Sequence, residues 1–527
     1  MKKSYVYYPL FLGVFFALGI WLGSVLNENT IGNDYVFSNS GAKKRKLNRL
    51  IDLIDQRYVD KINTDSIVDA TVNEIMQNLD PHSVYISSDQ AEDLENSLRG
   101  DFVGIGVRFF VNQDSISVLR SIENGPSDKA GIKGGDKILY ADGKPLFGLN
   151  AVSTNALKGE EGTEVVLGIL RPGNEEVINI PVTRGNVAII SIDAAYLLTP
   201  KLGYIKINRF SETTEAEFKK AIKSLKRAGA TQIALDLRDN PGGILSAAIE
   251  IADEFLEDDT LILFQKDRNN KRKDSYATDR GSYENSDVFI LINENSASAS
   301  EVVAGALQDN DTGTIIGRRS FGKGLVQQEI KLGDGSAVRL TIARYYTPTG
   351  RSIQRPYDNG NEDYFKEYID RYNNGELQSE DNIEVNDSLK RVTPGGKTVY
   401  GGGGIIPDVF VPSPDGYILQ TLEYFGRTGF ADLFVNKFLQ EEGSAMRFMS
   451  QSDFIGSYEV SEKIMKEFIQ YAELDKTSMK LPGYRREIAL IIKSSMAEQL
   501  FNTELKVKLL NKEDVMIKKL VALSKAK

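Results

Sequence analysis

Three short segments of this chain carry side chains able to do chemistry. The first, Ser296-Ala297-Ser298-Ala299-Ser300-Glu301, follows an apolar run that ends at Asn293 and opens a stretch with helical spacing. Small residues there let an extended peptide approach closely, and the field at a helix N-terminus favours a developing oxyanion. Ser298 is therefore a candidate nucleophile, although Ser298 with Glu301 three positions on also reads as an ordinary capping box. The second segment, Ser320-Phe321-Gly322-Lys323-Gly324-Leu325-Val326-Gln327-Gln328, sets a lysine between two glycines. A neutral lysine amine serves as general base toward a serine once its pKa falls from about 10.4 toward neutrality, at a cost of roughly 4 kcal/mol. Burial beside Phe321, Leu325 and Val326, with no carboxylate close in sequence, would lower it, and Gln327 is spaced to orient the amine. An exposed turn lysine is the alternative. In the third, Asp236-Leu237-Arg238-Asp239-Asn240-Pro241-Gly242-Gly243, the two glycines free the backbone to turn N–H groups toward a bound oxygen, or simply close a strand-end turn.

Composition narrows the chemistry further. The chain has no cysteine, which removes disulfides, thiolate metal sites and cysteine nucleophiles together. Its single histidine, His82, sits in the turn-like Asp80-Pro81-His82-Ser83, far in sequence from Ser298. A Ser-His-Asp triad would have to use it, so the base of a serine enzyme here is expected not to be histidine, and His82 reads as a turn or interdomain contact. A phosphate-binding reading of Gly322-Lys323 fails, because Gly324 stands where the motif needs Ser or Thr. The formal net charge of −10 argues against a nucleic-acid partner. Lys43–Lys46 and Lys271–Lys273 read as solvated faces or loops.

Taken together, these segments resemble those of the C-terminal processing peptidases, or tail-specific proteases. In that family a serine in a SASASE-like stretch precedes a lysine in FGKGxxQ by 25 positions, the spacing of Ser298 and Lys323. Tyr346-Thr347-Pro348-Thr349-Gly350-Arg351-Ser352-Ile353-Gln354, Gly404-Ile405-Ile406-Pro407-Asp408 and the DPHS turn match as well, over roughly residues 45–410. The resemblance implies a crotonase-like or Clp-protease-like α/β core. It assigns Ser298 as nucleophile, Lys323 as general base, Gln327 as its orienting partner, and the N–H groups of Gly243 and Ala299 as oxyanion donors. No metal or organic cofactor is implied. Residues 100–184 are similar to a PDZ domain: Gly104-Ile105-Gly106-Val107 stands at the carboxylate-binding loop, and Glu123–Ile132 with Gly134-Gly135-Asp136 matches the segment around the short helix. Such a loop holds a terminal carboxylate on successive amides while the peptide adds to a sheet edge.

Periodicity supplies the elements that must position these residues. Leu47, Leu50, Ile51, Ile54, then Ile67, Val68, Val72, Ile75, Met76 and Leu79 recur at helical spacing, broken at Asp80-Pro81. Short strands are predicted at 102–110, 115–122, 137–140, 165–170 and 177–182, with a short helix over 149–157. Strand-helix alternation follows: strands 203–208, 233–237 and 288–292, helices 214–227 and 298–307, and extended stretches at 314–316 and 337–346. Residues 357–400 read as an insertion or long loop, Gly401–Gly404 as a flexible joint, and 415–527 as an amphipathic helical extension without an assignable motif. The fold class is multidomain α/β plus β: an anchor over 1–27, a linker and helical region over 28–99, a PDZ domain over 100–184, a serine peptidase core over 185–414, and the extension over 415–527.

After Lys2 and Lys3, residues 5–26 carry no charge, long enough to cross a hydrocarbon core of about 30 Å, with Tyr5, Tyr7, Tyr8 and Trp21 near its ends. This predicts a single-pass anchor in a bacterial inner membrane with the body on the periplasmic side. A cleaved signal peptide releasing the body to the periplasm is the alternative, though the apolar run is long for one. The expected partners are protein or peptide substrates held by their C-terminal tails, and the membrane through the N-terminal helix. Oligomeric state and a regulatory adaptor are left open. A non-catalytic PDZ scaffold that kept the peptidase fold is the rival reading.

Overall fold

The structure, a computed structural model, describes residues 40–112, 115–147, 154–284, 286–414, 421–422, 425–426, 429–473 and 482–526. The expected membrane anchor over 5–26 lies outside them. Among the described residues no helix is long and apolar enough to cross a membrane.

The organising element is a six-stranded sheet ordered Ile192–Leu197, Leu202–Ile207, Gln232–Asp236, Val288–Ile292, Gly313–Gly317 and Val409–Phe410. All neighbours pair parallel except the first two. Val-Phe-Ile-Leu-Ile over 288–292 is buried at every position, as a central strand covered on both faces must be. Helices Thr214–Arg227, Leu245–Asp253 and Ala299–Asp309 pack Phe218, Ile222, Ile251, Val303 and Leu307 into the core on one face. Each follows its strand as a crossover, so the turns bearing the three chemical segments gather at the carboxyl ends of neighbouring parallel strands.

A second, antiparallel sheet joins Val84–Ile86, Leu325–Lys331, Ala337–Tyr346, Leu261–Asp267 and Arg272–Tyr276. It extends the lysine segment, since Leu325–Lys331 begins two residues after Lys323. A third sheet, Val107–Asn112, Ser115–Ser121, Lys137–Ala141, Glu164–Leu170 and Ile178–Thr183, closes around Ile116, Val118, Ile138, Val165, Leu167, Ile169 and Val182.

Four expectations change. The single strand over 102–110 is two, Asp101–Gly104 and Val107–Asn112, because Gly106 at φ +70° breaks the extended run. Within 149–157 the described part is a 3-10 turn, Thr154–Leu157. Residues 357–400 are not a long loop: Asn361–Asn373 is a helix, and Lys390–Val392 pairs with Thr398–Tyr400. Gly401–Gly404 is no free joint either. The Gly401, Gly402 and Gly404 amides bond the carbonyls of Leu389, Ser352 and Ile353, and a side chain at Gly404 would strike the Ser320 carbonyl at 2.6 Å.

The C-terminal residues form helices Phe430–Glu441, Glu462–Tyr471, Pro482–Leu500, Thr503–Glu513 and Val515–Ala526. Most share a core of Phe434, Phe454, Phe468, Ile488 and Ile492. The last helix instead lays Met516, Ile517 and Leu520 against Tyr204, Phe289 and Leu291, on the sheet face opposite the crossover helices. In the N-terminal unit, Ser40–Arg57 and Thr64–Gln77 are helices joined by a turn in which the Thr64 hydroxyl donates to Asp55 at 2.9 Å.

Candidate active site

Ser298 caps the helix Ala299–Asp309 at φ +54°, ψ −112°, a conformation that serine rarely adopts and that persists only when its surroundings enforce it. The enforcement comes from Gly242 on one side. At φ +97°, a Cβ there would lie 2.7 Å from the Ala297 carbonyl and 2.8 Å from the Ser298 Cβ, so only glycine admits this approach. Ala297 N–H and the Ser300 hydroxyl both donate to the Asn240 carbonyl at 3.0 Å, tying the serine turn to the Asn240-Pro241-Gly242-Gly243 turn. Gly243 is exposed at φ +142°, and a Cβ there would overlap the Phe210 carbonyl at 2.0 Å. Among the described residues, neither the Gly243 nor the Ala299 amide has an internal acceptor.

Glu301 joins the serine segment to the lysine segment. The capping box is present, with the Glu301 carboxylate accepting the Ser298 N–H at 2.8 Å. The same carboxylate accepts the Lys323 N–H at 2.9 Å, the Gly322 N–H at 2.7 Å and the Ser320 hydroxyl. Burial pushes this carboxyl above its ordinary range, while the four hydrogen bonds pull the other way. Capping and site assembly are thus one arrangement, and the helix-cap reading of Ser298 does not compete with the catalytic one.

The Lys323 amine is half-buried and donates to Gln327 Oε1 at 2.7 Å. Burial, then Arg339, lowers its pKa to about 8, against the opposing pull of Asp80 and Glu301. So carboxylates that the local sequence does not show do face this lysine, and desolvation prevails over them. Gln327 in turn donates its amide to the His82 carbonyl. The Asp80 carboxylate shapes that turn by accepting the His82 and Ser83 N–H groups, each at 2.8 Å. The His82 ring meets the Tyr364 hydroxyl at 2.8 Å, and burial lowers its pKa to about 3. The DPHS turn therefore touches the site through a backbone carbonyl, not through imidazole chemistry. Sequence spacing hid this, because 245 positions separate His82 from Gln327.

Other contributors were also silent in the sequence. The Arg355 guanidinium lies 4.4 Å from the Phe321 ring centroid and 4.1 Å from that of Tyr364, while its backbone N–H bonds the Gly322 carbonyl at 3.0 Å. Arg371, on the helix Asn361–Asn373, donates to the Ser320 carbonyl at 2.8 Å. The supposed loop thus supplies the clasp behind the lysine turn. Aromatics at 364, 368 and 372, one helical turn apart, were the available signal.

Gly104, Ile105 and Gly106 join the strand Asp101–Gly104 to Val107 of the third sheet, and all four residues are buried beside the short helix Pro126–Lys129. The Ile105 and Gly106 carbonyls accept from Ser127 at 2.8 Å and Ile122 at 3.0 Å. A cavity of about 920 Å³ lies between Val107–Phe110 of this sheet, strand-end residues Asp239, Asn293 and Arg318, and the C-terminal helices at Glu498, Lys506 and Asp514. Arg108 pairs with Glu498 at 2.7 Å across one side.

Such a site can activate a serine hydroxyl with a neutral amine and receive an oxyanion on backbone amides. A model of peptidase family S41 matches residues 201–359, and one of the PDZ domain matches residues 103–182. The carboxy-terminal-processing protease of Bartonella bacilliformis is 35% identical over 353 residues, covering 65% of this chain and 80% of that protein. The carboxy-terminal processing protease CtpA of Bacillus subtilis is 33% identical over 320 residues, covering 60% and 68%. The solved structure of a photosystem II D1 C-terminal processing protease is 24% identical, covers 72% of this chain and 94% of that one, and superposes with a TM-score of 0.36.

Proposed function

The chain belongs to peptidase family S41, and on that footing we propose that it is a serine endopeptidase that cuts proteins near their C-terminal tails with a Ser298/Lys323 dyad. The observation that carries this reading is the Glu301 carboxylate, which binds the backbone amides of Ser298 and Lys323 at once and so makes them parts of one site.

In this mechanism the neutral Lys323 amine, oriented by Gln327, takes the Ser298 hydroxyl proton as Oγ attacks the scissile carbonyl. The tetrahedral oxyanion is received by the Gly243 and Ala299 N–H groups, which keep no internal acceptor among the described residues. The protonated amine then gives its proton to the leaving nitrogen, leaving an acyl-enzyme on Ser298. Water, deprotonated by the same amine, releases the acyl group. A base lowered to about 8 is substantially neutral near that pH, as this sequence of transfers requires.

The PDZ domain captures the substrate's terminal carboxylate on the loop Gly104–Val107, and the uncharged residues 5–26 anchor the chain with its body outside the cytoplasm. A peptide amidated at its C-terminus should bind worse than the free acid, and equal binding contradicts carboxylate capture. The protein should stay with membranes through a high-salt wash, and release into the soluble fraction contradicts the anchor. The decisive test for catalysis compares wild type, Ser298→Ala and Lys323→Ala on an unstructured protein ending in small apolar residues. Loss of cleavage in both variants, with folding retained, is expected. Cleavage by either one overturns the dyad, and a folded but inert wild type favours the non-catalytic scaffold.

A further inference from the structure

We propose that Tyr345 is a positioning residue that holds the nucleophile and base segments in register through a single phenol hydroxyl. Tyr345 lies near the end of the strand Ala337–Tyr346 and is 2% exposed. Its hydroxyl lies 2.9 Å from the Lys323 carbonyl and 3.2 Å from the Ser298 carbonyl, so one donor is shared between the backbones of the two residues. Its own N–H bonds the Gly324 carbonyl at 3.0 Å, which fixes the ring's root to the lysine turn as well. Neither carbonyl is a reacting atom. The hydroxyl acts only through where it holds Ser298 and Lys323.

Two features make this hydroxyl consequential. Ser298 sits at a positive φ that must be enforced, and Tyr345 holds its carbonyl while the Glu301 carboxylate holds its N–H. Lys323 stands in a glycine-flanked turn with little intrinsic stiffness, so its carbonyl is a natural place to fix it. Burial keeps the phenol pKa well above its ordinary value, and the group remains a donor across the working pH range. A positional error of about 1 Å between reacting groups costs on the order of 100-fold in rate.

The inference rests on the Ser298/Lys323 reading, so its test includes Lys323→Ala beside Tyr345→Phe in the full chain. The readouts are kcat and KM on a peptide substrate and the rate at which a fluorophosphonate labels Ser298. Tyr345→Phe is expected to lower kcat and labelling about 10-fold to 100-fold while KM stays within about twofold. Because the phenylalanine variant could misfold, p-methylphenylalanine and p-aminophenylalanine at position 345 form a second pair of similar bulk. Only the amino group restores a donor, and it should recover most of the rate. Lys323→Ala inactive with Tyr345→Phe at the wild-type kcat, or equal rates for the methyl and amino variants, would overturn the positioning role alone. An active Lys323→Ala would remove the dyad and this inference with it.

Discussion

At the scale of single residues, the site depends on one buried carboxylate and one desolvated amine. Glu301 is fully buried and receives four donors, so Glu301→Ala leaves those groups unsatisfied. Each buried donor left unmade costs about 1–3 kcal/mol, and the variant should unfold at clearly lower denaturant and lose at least tenfold in kcat. Unchanged stability and rate would mean that the carboxylate is not the junction described. The amine gives a pH prediction with a definite sign. In the proposed mechanism Lys323 must be neutral to accept the serine proton, so activity should rise with pH through about 8, the value to which burial lowers it. A rate independent of pH from 6.5 to 9 would exclude it as base. Lys323 and Gln327 were legible because their spacing is local, and they meet through a hydrogen bond. Glu301 was legible only as a cap, and its three further donors come from positions 320–323, which no short-range pattern connects to it.

At the scale of elements, the parallel strands and crossover helices were readable because their signals are strong. Val288–Ile292 is an unbroken apolar run, and Thr214–Arg227 carries Phe218, Ile222 and Leu225 on one face. The helix Asn361–Asn373 was missed for a physical reason. It packs tyrosines and charges around an arginine rather than an apolar stripe into a core, so its pattern looked like that of a loop. Its role predicts that Arg355→Ala, which empties the space against Phe321 and Tyr364, destabilises the fold by about 3 kcal/mol and lowers kcat by loosening the lysine turn. A chemical denaturation curve matching wild type would show that the clasp contributes nothing. Gly401–Gly404 misled in the opposite way. Four glycines suggest freedom, yet here the missing side chain of Gly404 lets its backbone press against the Ser320 turn.

At the scale of the whole molecule, the last helix of the C-terminal extension is part of the core over the central sheet, although its sequence offered only amphipathic helices. Leu520 is fully buried against the central sheet with Met516 and Ile517, so Leu520→Ala should cost about 2–5 kcal/mol in equilibrium unfolding. A cost below about 1 kcal/mol would mean that the last helix is an appendage. The extension was opaque because the residues that receive it, Tyr204, Phe289 and Leu291, lie more than 200 positions earlier. The same long-range assembly brings the serine turn, the lysine turn and the DPHS turn into one site. The most direct test of that site is fluorophosphonate labelling of the full chain at pH 8, with the adduct located by peptide mass mapping in wild type and in Lys323→Ala. A single adduct on Ser298 is expected in wild type, with its near-complete loss in a folded Lys323→Ala. An adduct on another serine, or equal labelling of Ser298 in both proteins, would contradict the Ser298/Lys323 dyad.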